Sequence, residues 1–88
     1  VELIRILHLE DSELDAELAH ARLTRGGIRF AVEHVATRAA YIAALQASEP
    51  NLILADFAVA GFAGTEALEI AQSLQPCVPF IFVSGQIG

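Results

Sequence analysis

The chain contains no lysine: all five of its basic residues are arginines, Arg5, Arg22, Arg25, Arg29 and Arg38, set against eleven acidic residues. A phosphate-binding face needs clustered cations, so five scattered arginines and a net charge of −6 exclude nucleic acid as a direct ligand. Cysteine is almost as scarce. Cys77 alone excludes an internal disulfide and any CxxC metal spacing, which suits a reducing cytoplasm, and it reads as a small buried or half-buried apolar group. Charged residues make up only 18% of the chain and hydrophobic ones 55%, so there is apolar surface enough to offset chain entropy and disorder is excluded. No apolar run is long enough to cross a bilayer and no signal-peptide pattern is visible, so no membrane insertion is expected. Eighty-eight residues allow a single core. A 55% hydrophobic content is high for so small a domain, leaving apolar surface for a partner or a further segment to cover.

Residues 3–9 form a short, mostly apolar run suited to a strand covered on both faces of a parallel sheet. Asp11 or Ser12 then caps a helix whose polar stripe, Glu13, Glu17, His20 and Thr24, recurs at helical spacing, and Gly26-Gly27 ends it. Residues 28–35 alternate loosely, as a half-covered edge strand does. Thr37 caps an alanine-rich second helix carrying Ile42 and Leu45, which ends before Pro50. The uniformly apolar stretch 52–55 is expected to be a central strand delivering Asp56 at its carboxyl end. A loop with Gly61 and Gly64 leads to a third helix over 66–74, with Ala67, Leu68, Ala71 and Leu74 inward, closed by Pro76 and Pro79. Residues 80–83 make a fourth strand ending at Ser84-Gly85. The order β-α-β-α-β-α-β with short connections specifies an α/β, doubly wound parallel sheet with helices on both faces.

In such sheets ligands bind at the carboxyl ends of the strands. The first strand ends in Glu10-Asp11, the third in Asp56 and the fourth in Ser84, so these four residues converge on one edge. Three carboxylates together repel one another unless a cation sits among them, and Mg2+ is the usual hard cation where a phosphate must also bind. Asp56 as nucleophile, a metal ion against the phosphoryl oxygens and the Ser84 hydroxyl on a further oxygen make a phosphoryl-transfer site. Singly, each piece reads otherwise: an acidic pair after a strand as a helix cap with a solvated charge, a serine as a turn residue.

Over its whole length the sequence resembles response-regulator receiver domains of two-component signalling. Residues 6–12, Ile-Leu-His-Leu-Glu-Asp-Ser, resemble the family's opening strand and acidic pair. Residues 52–56, Leu-Ile-Leu-Ala-Asp, look like the strand that presents the phosphoacceptor, and Gly64 stands where the family's glycine follows it. Val83-Ser84-Gly85 looks like the strand end bearing the hydroxyl switch. The resemblance implies a flavodoxin-like fold with strand order 2-1-3-4, and phosphorylation of Asp56 by a phosphohistidine on a sensor histidine kinase or a histidine phosphotransfer domain. Asp11 and Asp56 would bind Mg2+ directly, Glu10 largely through water, and the Ala58 backbone carbonyl would add a ligand. Ser84 would bond the phosphoryl group and shift with it, so the module is a switch and not a turnover enzyme.

The sequence also departs from the family. Glu10 replaces the commoner aspartate, and Ala60 and Ala63 stand where proline and aspartate are usual. The family's fifth strand, with the lysine that grips the phosphoryl group at its end, and its fifth helix lie beyond Gly88. The expectation is thus one receiver domain over 1–88, incomplete at its C-terminus, with the fourth strand an exposed edge and a template for homodimerisation. Residues 9–12 and 14–18 look like receivers found in hybrid sensor kinases.

Other readings are a pseudo-receiver, binding a protein partner without phosphorylation, and an aspartyl-nucleophile hydrolase. The second usually places another acid two residues after the nucleophile, where this chain has Ala58. A nucleotide-binding domain lacks its glycine-rich turn after the first strand. His8, His20 and His34 show no short ligand spacing, so no zinc site is expected. Tyr41 and the phenylalanines read as packing, with Phe57 and Phe62 flanking the acceptor loop.

Overall fold

The computed structural model describes residues 3–56, 58–59 and 62–83. Four parallel strands, β1 (Ile4–Leu9), β2 (Phe30–Val35), β3 (Leu52–Asp56) and β6 (Phe80–Val83), make one sheet in the order β2-β1-β3-β6. Counting the parallel strands alone, this is the expected order 2-1-3-4. Two two-residue strands, β4 (Ala58–Val59) and β5 (Phe62–Ala63), pair antiparallel in the turn after β3. The connections are α1 (Glu13–Arg25), α2 (Arg38–Ala47) and α3 (Gly64–Leu74).

Local chemistry sets the helix ends. Ser12 Oγ accepts from the Asp15 N–H at 3.2 Å and Thr37 Oγ1 from the Ala40 N–H at 3.1 Å, each satisfying a donor left over in a first turn. Acidic Glu13 and Asp15 open α1 and basic Arg22 and Arg25 close it, the arrangement the helix dipole favours. Gly27, with φ 82°, supplies the left-handed residue that turns the chain towards β2. Asn51 donates its N–H to the Arg5 carbonyl and accepts the Arg5 N–H on Oδ1, both at 2.8 Å, and so registers β3 on β1.

The core lies on one face of the sheet. Leu7, Leu9, Val35, Ile53 and Ala55 pack against Tyr41, Ala44 and Leu45 of α2 and Ala67 and Ala71 of α3. Tyr41, fully buried, donates its hydroxyl to the Ala67 carbonyl at 2.7 Å and ties the two helices together. On the opposite face Ile6 and His8 of β1 and Glu10 just past it are buried too, which explains why this strand reads as a mostly apolar run. Among the described residues β2 and β6 are the sheet's edges, and on β6 Ile81 and Phe82 are exposed.

Several details differ from the sequence reading. Helix α3 begins at Gly64, not Glu66, because Ala63 occupies the cap position with no side-chain hydrogen bond to mark it. Leu74 is exposed on the last turn, and Ile70 packs against the core instead. In α2 the buried residues are Tyr41, Ala44 and Leu45, with Ile42 half-buried. Cys77 is exposed, in the turn between Pro76 and Val78 rather than against the core. No helix among the described residues is long and apolar enough to cross a membrane.

Candidate functional site

Parallel register builds the site. Leu9 pairs with Ala55 across β1 and β3, so the next residues, Glu10 and Asp56, leave adjacent strands side by side. The Glu10 N–H still donates to the Val35 carbonyl at 2.9 Å, which carries the ladder one residue past β1. On its far side β3 pairs Asp56 with Val83.

Glu10, Asp11 and Asp56 each place one carboxylate oxygen so that all three lie within 4.8 Å of one another. Glu10 is buried at 4% exposure, Asp56 half-buried and Asp11 exposed. Burial pushes the Glu10 carboxyl up to about 7; the Ser12 N–H opposes this with a 3.2 Å bond to Oε2, while Asp56, Asp11 and Asp15 add to it. Negative charge is thus packed where water cannot fully solvate it, and a hard cation with oxygen ligands relieves the conflict. The donor set fits Mg2+ on chemical grounds. Ala58 opens β4 two residues after Asp56. Ser84 and Phe57 lie outside the described residues, as do the side chains of Ala58 and Phe62.

Behind the triad stands a group that motif spacing did not reveal. His8, fully buried, has its Nδ1 2.9 Å from Nε2 of His20, and His34 Nε2 donates to the Glu10 carbonyl at 2.6 Å. The ring centres lie 5.0 Å (His8–His20), 6.0 Å (His8–His34) and 6.5 Å (His20–His34) apart. His20 is therefore half-buried against the sheet, not on a solvated stripe. Burial lowers the His8 imidazole to about 4, His20 and His34 add to the shift, and Asp56 opposes it. Burial, then His34, lowers His20 as well, with Glu17 opposing. Nε2 of His8 is buried with no hydrogen-bond partner among the described residues, a condition that ordinarily costs about 1–3 kcal/mol.

No protein-family model matches the sequence, and no curated protein matches it. Solved structures do. The receiver domain of a sensor histidine kinase from Pseudomonas aeruginosa PAO1, described with a magnesium ion coordinated in its active-site cleft, superposes with a TM-score of 0.78 at 22% identity over 92% of this chain and 66% of that one. A response regulator from Burkholderia pseudomallei, described with a phosphorylated aspartic acid, a calcium ion and citrate, gives 0.80 at 20% identity over 97% and 49%. At such identities these two speak for the fold. The chain spans about half to two thirds of their lengths. A CheY-like response-regulator receiver domain from Methanospirillum hungatei JF-1 is 31% identical, with a TM-score of 0.80, over 99% of this chain and 68% of that one. Identity of that order, sustained across nearly the whole of this chain and carried on the same four-stranded sheet, shows the family: the chain belongs to the response-regulator receiver domains.

Proposed function

We propose that this domain is the phosphoacceptor of a cytoplasmic two-component phosphorelay, taking a phosphoryl group from a phosphohistidine onto Asp56. The observation that carries the reading is the meeting of the Glu10, Asp11 and Asp56 carboxylates within 4.8 Å at the carboxyl ends of adjacent parallel strands. Support comes from the magnesium ion described in a receiver domain and the phosphorylated aspartic acid described in a response regulator, both similar in fold to this chain.

In this reading an Asp56 carboxylate oxygen attacks phosphorus in line. The new P–O bond forms as the P–N bond to the donor imidazole breaks, and that imidazole leaves with the bonding pair. Asp11, Asp56 and the Ala58 carbonyl, with Glu10 largely through water, would hold Mg2+, which when bound would offset the charge on the phosphoryl oxygens. The Ser12 N–H fixes the Glu10 carboxylate, and Ser84 bonds the phosphoryl group and moves with it. The partner is a sensor histidine kinase or a histidine phosphotransfer domain, and the product is a signalling state rather than a released compound. The exposed β6 edge is the surface on which a second copy would pair.

Intact-mass analysis after incubation with a small-molecule phosphodonor tests this. A single phosphoryl adduct that requires Mg2+ and disappears in Asp56→Asn is the expected result. The alternative is a pseudo-receiver that binds a protein partner without phosphorylation. A folded chain, extended through the next strand and helix, that never gains an adduct would establish it.

A further inference from the structure

His8, His20 and His34 come from a buried strand, a helix and an edge strand, yet their rings gather in one cluster beside the acidic triad. We propose that these three histidines bind a divalent transition-metal ion, Zn2+ foremost, at a site separate from the carboxylates. The inference does not rest on phosphorylation of Asp56.

Geometry carries it. With Zn–N bonds of about 2.0–2.1 Å at tetrahedral angles, two ligating nitrogens sit about 3.3 Å apart and their ring centres about 5 Å apart. His8 Nδ1 and His20 Nε2 are 2.9 Å apart with ring centres at 5.0 Å, so two of the three positions are already formed. The His34 ring, at 6.0 and 6.5 Å from the other two, stands about 1 to 1.5 Å too wide for the same tetrahedral geometry. It is exposed on the edge strand and closes by pivoting on its bond to the Glu10 carbonyl.

The proton positions agree. A carbonyl only accepts, so His34 Nε2 carries the hydrogen and Nδ1 keeps the lone pair. Metal-bound histidines characteristically donate their other N–H to a carbonyl or carboxylate in this way. On ion entry the proton shared by His8 and His20 moves to the outer nitrogen of its own ring, and both facing nitrogens ligate with no net proton lost. His34, at the surface, leaves a fourth position to water.

Ligand chemistry separates the two sites. Imidazole nitrogens favour zinc, nickel and copper, while carboxylate and carbonyl oxygens favour magnesium. An ion on the three rings would clamp α1 to β1 and β2 immediately behind Glu10.

Calorimetric titration of the full chain with Zn2+ in excess Mg2+, which occupies the carboxylates, tests the assignment. One saturable equivalent is expected, weakened about tenfold or more in His20→Gln and in His34→Gln and retained in Asp56→Asn, with folding of each variant checked by circular dichroism. Side-chain nitrogen NMR of the unmutated chain should show all three histidines shifting on Zn2+ addition, which decides the matter even where a variant does not fold. Absence of saturable binding, binding that survives both histidine variants, or binding lost in Asp56→Asn would each overturn the proposal; the last would put the ion in the acidic triad.

Discussion

His34 Nε2 donates to the backbone carbonyl of Glu10 across 2.6 Å, so an edge-strand side chain anchors the residue whose carboxylate belongs to the acidic triad. The bond fixes the turn in which β1 runs out into Glu10-Asp11. Outer partners of this kind typically change metal affinity by about tenfold or more. His34→Ala is therefore expected to weaken Mg2+ binding by about tenfold in buffer free of transition metals, read by NMR titration, with circular dichroism unchanged. An unaltered Mg2+ affinity would show that the carbonyl needs no anchor.

Glu10 should make stability depend on pH in a way that can be isolated. Its folded-state carboxyl titrates at about 7 against an ordinary 4.5, so between these values the folded chain holds a proton that the unfolded chain has released. That binding stabilises the fold at low pH and is lost as pH rises through the window, by up to about 3 kcal/mol. Glu10→Gln removes the effect. The difference in unfolding free energy should move in favour of the variant from pH 4.5 to 7, measured by urea denaturation without Mg2+, and saturating Mg2+ should shrink it. A constant difference across the window would mean that Glu10 is solvated like a surface carboxylate.

The strands, the caps at Ser12 and Thr37 and the convergence of Glu10, Asp11 and Asp56 were legible because each follows from short-range pattern: apolar runs, cap residues, and parallel strands that bring their carboxyl ends to one edge. The histidine cluster was not, because spacings of 12 and 14 residues match no ligand motif. One signal was present nonetheless. His8 and His34 are each the fifth residue of six-residue strands, and parallel pairing in register sets them opposite one another. The inward turn of His20 depends on how α1 packs, which its weakly amphipathic sequence does not fix. Cys77 and Leu74 were misplaced for a related reason: an apolar residue at a helix end or in a turn is buried only if another element reaches it.

Tyr41 joins α2 to α3 through one hydroxyl, 2.7 Å from the Ala67 carbonyl in the buried core. Tyr41→Phe keeps the ring packing and deletes the bond, so a loss of about 1 kcal/mol is expected. In urea the midpoint should fall while the slope stays constant, since the surface exposed on unfolding is nearly unchanged. A loss below a few tenths of a kcal/mol would show that ring packing alone holds the helices together.

His8 should act on the acid side with the opposite sign to Glu10. Its imidazole titrates at about 4 in the folded chain against an ordinary 6.5, so the unfolded chain takes up a proton first as pH falls. The stability His8 contributes is complete above pH 6.5 and lost on descent towards 4, by up to about 3 kcal/mol, and His20 is shifted in the same sense. In the unaltered chain Glu10 gains stability over much of the same interval, so the two largely cancel and the profile is expected to be shallow. In the Glu10→Gln background the acid loss should stand alone, and adding His8→Leu should remove most of it, leaving the smaller part due to His20. A Glu10→Gln profile that stays flat from pH 6.5 to 4 would mean that His8 accepts its proton in place, and that the cluster opens to water without unfolding the chain.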